Sequence, residues 1–473
     1  MKNFWVKTVF ILAFLWWAYL FFTTQIVVVF DSEGYESLGR MIYQNGWHEY
    51  FRTGPNREPL FPAIVALSMY LADLLKVHYF YTLKMIGVLF LFITTLVSYR
   101  LMKMLSIRTS IICLALFYLA VSPVMTNSSM RLWSEFAAYP WVVLAVLWSI
   151  KSWKALKETP PGNRGLIQMA GCGAMVAVMF LLIMFVKAVA EGVILFYLWP
   201  FYWQMVSSWR ARDFVKLKGV IVFCVVALGV FEGVTMSYKW LNYQSNGLYA
   251  FTNRADYALY GYTARRIEPL TLNRLGAAIV QTPGMGGCTE LFKEEDCLFW
   301  TARHSDDILE QKRTELQKQG ITNQQASSYY IVTSLKLFLS NPLQVLGLIF
   351  IEAHKVFFWE SSIGFVAYPD WLEQIFYSPK FSPTLRIVLA VLSWTASVWA
   401  IVQLNRRRSK KTIQWEESRE TLFWVTNFIF WFTAMYSIYF VEYRYVFPLV
   451  SLLMVLIAFM LDKLWGRIRH VNS

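Results

Sequence analysis

Three carboxylates stand where long apolar runs begin or end. Asp31 and Glu33 lie in VVVFDSEGY, at the close of the first such run, and Glu135 lies in SSMRLWSEF, at the start of a later one. An acid deep in hydrocarbon is costly, whereas one at the rim of a low-dielectric wall can stay ionised and hold or move a proton. Cations gather at similar positions: Arg57 in NREPLFP, Arg131 four residues before Glu135, Lys187 in FVKAVAEG, Arg444 in VEYRYVFP, and the neighbours His354 and Lys355. A bound phosphate is one physical reason for such a set. Taken singly, each cation is also explained by snorkelling or headgroup contact. Asp31 is also explained by helix capping, and Glu33 by interfacial solvation.

The elements that must position these groups follow from the hydropathy pattern. With 473 residues, 57% hydrophobic, 16% charged and a mean hydropathy of +0.42, the chain is expected to be an all-α polytopic membrane protein, and a water-soluble fold is excluded. The net charge of +14 does not indicate nucleic acid, because the basic residues fall in short clusters between apolar runs. The first run, roughly 8 to 30, follows Lys2 and Lys7 and has no small-residue cleavage site, so it reads as a retained helix. Further runs lie near 80–101, 109–126, 136–151, 166–186, 190–206, 219–240, 385–404, 420–440 and 446–463.

Two other stretches, 60–77 and 341–358, are ambiguous. The basic clusters at 100–108, 151–164, 210–218, 406–411 and 463–469 all fall on the cytoplasmic side only if neither stretch crosses. Glu352, His354 and Lys355 within 341–358 also favour an interfacial or cavity-lining helix there. About ten crossings result, with both termini cytoplasmic. Residues 1–240 form a transmembrane core with an outer loop at 31–79. Residues 241–384 form a small helical extracytoplasmic segment, and 385–473 the last transmembrane helices.

In that scheme Asp31 or Ser32 starts a surface helix that ends near Gly46, with Tyr35, Leu38 and Ile42 on one face and Glu36 paired with Arg40 on another. Cys288 and Cys297, in GGCTELFKEEDC, are a disulfide candidate if that loop meets an oxidising compartment, or else two unpaired thiols. A divalent cation bridging Asp31, Glu135 and a phosphate has no dedicated ligand cluster to support it. HSDD at 304–307 reads as a helix start capped by Ser305. Aromatic residues of the 241–384 segment, among them Tyr262, Trp300 and Trp359, suit either sugar stacking or interfacial packing.

FDSEGY, NREPLFP, RLWSEF, FVKAVAEG, SNPLQVLGLIFIEAHKVFFW and EYRYVFPLVSLL, in this order along nearly the whole chain, resemble the bacterial GT-C glycosyltransferases. These are multi-spanning enzymes that take a polyprenyl-phosphate sugar at the outer face of the membrane. The resemblance implies Asp31 as the first-loop catalytic acid and Glu135 as the second. It places Arg57, Lys187 and Arg444 at the donor phosphate, where Arg131 and Lys355 are further candidates. Glu33, Tyr35, His354 and Glu442 are supporting candidates, with Ser32 separating Glu33 from the first acid.

The expected reaction is sugar transfer to an acceptor hydroxyl on a glycan, lipid or protein, with inversion. It is expected at a bacterial inner membrane, with no required cofactor and no nucleic-acid partner. The alternative is a transporter or flippase for a lipid-linked sugar or another anionic substrate. Inverted repeats and charges near the membrane midplane would mark that class.

Overall fold

The computed structural model describes residues 2–158, 162–252, 255–281, 287–359, 366–376, 378, 381–406, 413–439 and 443–471. The first apolar run forms α1 (Lys2–Thr23), which ends in a short strand, β1 (Gln25–Ile26). Phe30 then turns the chain with φ 52 and ψ −123, a backbone region that strains a side chain with a Cβ. Asp31 follows as the first residue of α2 (Asp31–Arg52). Gly46, at φ 75, bends α2 without ending it, and an L-residue there would be strained. Tyr35 and Ile42 are buried on one face of α2, and Glu36 and Arg40 pair at 2.9 Å on another.

Helix α3 (Leu60–Leu75) has 16 residues, short of the roughly 20 that a crossing needs. Its failure to qualify as a span agrees with the charge-parity expectation. Long α4 (Tyr79–Met104) is followed by α5 (Thr109–Val121) and α6 (Pro123–Ser129), which bend by 47° at Ser122. Gly87 lets α4 pass close to the end of α6, where a Cβ would collide with the Ser129 carbonyl. That crossing fixes the short stretch carrying Arg131, from which α7 (Glu135–Lys157) departs.

After α8 (Asn163–Met184) the run 190–206 is not one helix as expected. It breaks at Leu198 into α9 (Ala190–Tyr197) and α10 (Trp199–Arg210), with Pro200 in the first turn of the second piece. Proline lacks the amide that would continue the ladder. Asn427 bridges the break by donating to the Tyr197 carbonyl and accepting from the Trp199 indole, both at 3.0 Å. Helix α11 (Phe214–Asn246) completes this part of the chain.

The next region is a helical layer: α12 (Ala255–Arg266), α13 (Leu272–Gln281), α14 (Cys288–Leu291), α15 (Glu294–Leu298), α16 (Ala302–Lys318), α17 (Asn323–Ser340) and α18 (Pro342–Ala353). Cys288 and Cys297 are disulfide-bonded, joining α14 to α15. Ser305 does not cap a helix, since α16 starts at Ala302 and buries Ser305. Strand β2 (Val366–Ala367) pairs antiparallel with β1 and ties the segment after α1 to the segment that follows this layer. Then come α19 (Asp370–Phe376), α20 (Phe381–Asn405), α21 (Ile413–Tyr439), a 3-10 stretch (Tyr443–Leu449) and α22 (Val450–Val471).

Among the described residues, eight helices are long and apolar enough to cross a membrane, or ten if each of two bent pairs is one span. The pairs are α5 with α6, and α17 with α18, the second bent by 103°. The upper count equals the expected ten but includes α17–α18 in place of 190–206. Residues 450–460 of α22 are wholly buried at the centre, whereas α1 exposes Phe4, Ile11, Phe14 and Leu15, and α20 exposes Val391, Trp394 and Ile401. Apolar surface of that extent suits lipid, and the chain is an integral membrane protein. Inside it, buried Lys84 of α4 donates to the carbonyls of Phe21 (2.9 Å) and Thr24 (2.6 Å) at the end of α1.

Candidate active site

The start of α2, the stretch before α3, the start of α7, the turn after α8 and the 3-10 stretch before α22 meet at one place. The Asp31 carboxylate accepts from two guanidiniums, Arg57 through Oδ1 at 2.6 Å and Arg444 through Oδ2 at 2.7 Å. It therefore does not cap α2, whose N-cap position is Phe30 with no side-chain cap bond. Burial alone would raise the Asp31 pKa, but the hydrogen bonds and charges of Arg57 and Arg444 outweigh it and hold the carboxyl well below the usual carboxylate range.

Glu135 is buried and accepts from Lys187 Nζ at 3.0 Å. Lys187 also donates to Ser134 Oγ at 3.2 Å, and the Tyr35 hydroxyl donates to the same oxygen at 3.1 Å. The Arg57 guanidinium lies over the Tyr35 ring, 4.6 Å from its centroid. A continuous chain of contacts thus runs from Asp31 through Arg57, Tyr35, Ser134 and Lys187 to Glu135, and the two acids belong to one site. Trp133 adds a shared aromatic face: Arg131 stacks on it at 3.7 Å and Arg444 approaches it at 5.0 Å. Tyr445 lies between Lys187 (5.1 Å) and Arg444 (5.2 Å).

Of the residues singled out from sequence, Asp31, Glu135, Arg57, Arg131, Lys187, Arg444 and Tyr35 come together. Glu33 is exposed on the first turn of α2. Lys355 is buried, donates to the Trp300 carbonyl at 3.0 Å and stands in a second cluster around Glu352. His354 Nδ1 donates to the Phe350 carbonyl at 2.9 Å, and the ring lines an apolar hollow of about 340 Å³ with Phe357, Phe358, Ala390, Val391 and Trp394. Glu442 lies outside the described residues. Trp300 and Trp359, considered for sugar stacking, are buried, as is Tyr262.

Ser134, Trp133, Tyr445 and Glu58, which accepts from the Ala188 amide at 3.3 Å, were not singled out. Each is next in sequence to a residue that was, or two positions away, and adjacency was the available signal. The donor set does not fit a divalent ion: both Asp31 oxygens are held by guanidiniums, Glu135 is held by an ammonium, and cations outnumber acids around them. Among the described residues no three His, Cys, Asp or Glu side chains converge.

The site occupies one end of the helix bundle. Helix α7 runs from Glu135 to Lys157, about 33 Å at ~1.5 Å per residue, and at its far end Lys154 and Lys157 pair with Glu417 and Glu420 of α21. Arg108 binds Asp462 at 3.0 Å. The site is therefore at the opposite end of α7 from the 151–164 basic cluster.

The fold of the chain is similar to that of a solved oligosaccharyltransferase. The archaeal oligosaccharyltransferase AglB of Archaeoglobus fulgidus, solved in complex with an inhibitory peptide and a dolichol-phosphate, is similar to it with a TM-score of 0.50 at 11% identity. The match covers 100% of this chain and 51% of that one, so this chain spans about half the length of its neighbour. No family model matches the sequence, and no curated protein matches it.

Proposed function

We propose that this protein transfers a sugar from a polyprenyl-phosphate-linked monosaccharide to an acceptor hydroxyl. The acceptor oxygen attacks the anomeric carbon as the bond from that carbon to the phosphate oxygen breaks, which inverts the centre. The observation that carries the proposal is the joining of Asp31 and Glu135 with Arg57, Arg131, Lys187 and Arg444 at one end of the bundle. The cations would take up charge developing on the leaving phosphate, the preorganised electrostatics that commonly dominates such catalysis.

Asp31, the more exposed of the two acids, would take or orient the acceptor proton. Gripped by two guanidiniums it is a weak base. A phosphate that draws one of them away would restore its basicity at the moment of need. Glu135 holds Lys187 in place. A lipid phosphate is in keeping with the dolichol-phosphate bound by the similar archaeal enzyme, and that enzyme's peptide with a separate acceptor.

An outer-face site follows from the positive-inside rule applied to the basic clusters and agrees with the Cys288–Cys297 disulfide in the adjoining layer. We place the protein in a bacterial inner membrane with both termini cytoplasmic and a glycan, lipid or protein as acceptor.

The test is turnover of a panel of polyprenyl-phosphate monosaccharides by purified protein in lipid. Asp31→Asn should lose about 10²- to 10⁴-fold in kcat while still binding the lipid. Undiminished turnover in that variant would remove Asp31 from the chemistry.

A further inference from the structure

Beyond the cations that face Asp31, we infer that Arg266 and Glu352, in the helical layer, are positioning residues that set the place of Arg444. This rests on the function proposed above.

A helix leaves its last carbonyls without intrahelical partners, and a cation there is favoured by the helix dipole. Helix α21 ends at Tyr439, and the Arg266 guanidinium meets that end. It donates to the carbonyls of Ser437 (2.7 Å), Ile438 and Tyr439 (3.3 Å). Its Nε donates to Glu352 at 2.9 Å, and its Nη2 also contacts that carboxylate. Glu352 further binds Arg265, which donates to the Phe299 carbonyl at 3.0 Å. Both arginines and Glu352 are buried. A guanidinium sealed in this way needs a counter-charge, which Glu352 supplies from α18.

The chain leaving this end of α21 arrives within a few residues at Arg444, the second guanidinium on Asp31. The layer and the reaction centre are therefore linked by an anchored helix end. Lysine at 266 keeps the charge but has no planar fork to span three carbonyls and a carboxylate.

The experiment compares the parent, R266K, R444K and R266K/R444K in nanodiscs, measuring affinity for undecaprenyl phosphate and turnover of the active donor. Each single variant should weaken phosphate-lipid binding about tenfold, and the double variant should be no more than about twofold weaker than R444K, because residues acting through one contact are not additive. A role confined to general stability would multiply the two losses, and that result would overturn the inference. So would parent-like binding by R266K. If the parent itself neither binds the lipid nor turns over any donor, the proposed function fails first and this inference with it. E352Q, the more obvious variant, is made alongside, and unaltered binding in a folded E352Q protein would also count against the inference.

Discussion

Two clusters of buried or half-buried charge stand close in the chain's architecture and differ in one respect. Around Asp31, side chains keep access to the outside: Asp31 is 23% exposed and Arg444 20%. Around Glu352 they are sealed, with Glu352 at 0% and Arg265 and Arg266 at 1%. Both contain a carboxylate gripped by two arginines. In the function proposed, the first is a place where a phosphate would compete for a guanidinium. In the second the partners are backbone carbonyls of α21 and the layer, which nothing from outside can replace. Chemistry of the same residue types therefore divides into a site and a strut by access alone.

The sharpest way to break this comparison is to remove the acid of the sealed cluster. Glu352→Ala should destabilise the protein by about 3–5 kcal/mol, since it strands buried guanidiniums, read as a lower unfolding midpoint in detergent. Asp31→Asn in the same assay should cost clearly less, and equal losses would erase the distinction between strut and site.

A smaller effect is expected from thinning the clamp on Asp31. In the parent its depressed pKa means the ion-pair contribution to stability is complete at neutral pH and is lost progressively as pH falls from the unfolded carboxyl's pKa to the low folded-state value. Arg57→Ala should move that pKa upward, toward the ordinary value of about 3.9. The acid loss of stability begins below about pH 5 in both proteins, as the unfolded carboxyl protonates, and should be smaller in the variant and level off at higher pH, which a pH series of unfolding midpoints would show. The smallest effect belongs to the far end of the bundle, where Lys157 is half exposed beside Glu420. Glu420→Ala there should change stability by at most about 1 kcal/mol.

How much of this was readable from sequence depended on the range of the signal. Asp31 and Glu135 were recognisable because a carboxylate at the end of a membrane-length run is conspicuous, and charge parity kept 60–77 from being taken for a crossing. The break at Leu198 was hidden because apolar composition continues across it, and the asparagine that bridges it is more than two hundred positions away. Glu352 drew notice as an acid in an apolar run, but its partners Arg265 and Arg266 lie almost ninety positions upstream, and no local pattern predicts that meeting. The Ser134 relay was likewise invisible, since a serine before a helix reads as a cap, whereas here it joins Tyr35 to Lys187.

Lys84 gives the first helix a significance its bland composition does not suggest. Because the ammonium rests on the final carbonyls of α1, a version of the protein missing that helix would retain a positive charge stranded among apolar neighbours. Exchanging α1 for an unrelated membrane anchor would succeed only if the substitute ended at the same depth with open carbonyls, so this segment is a fitted part of the machine and cannot serve as interchangeable packaging.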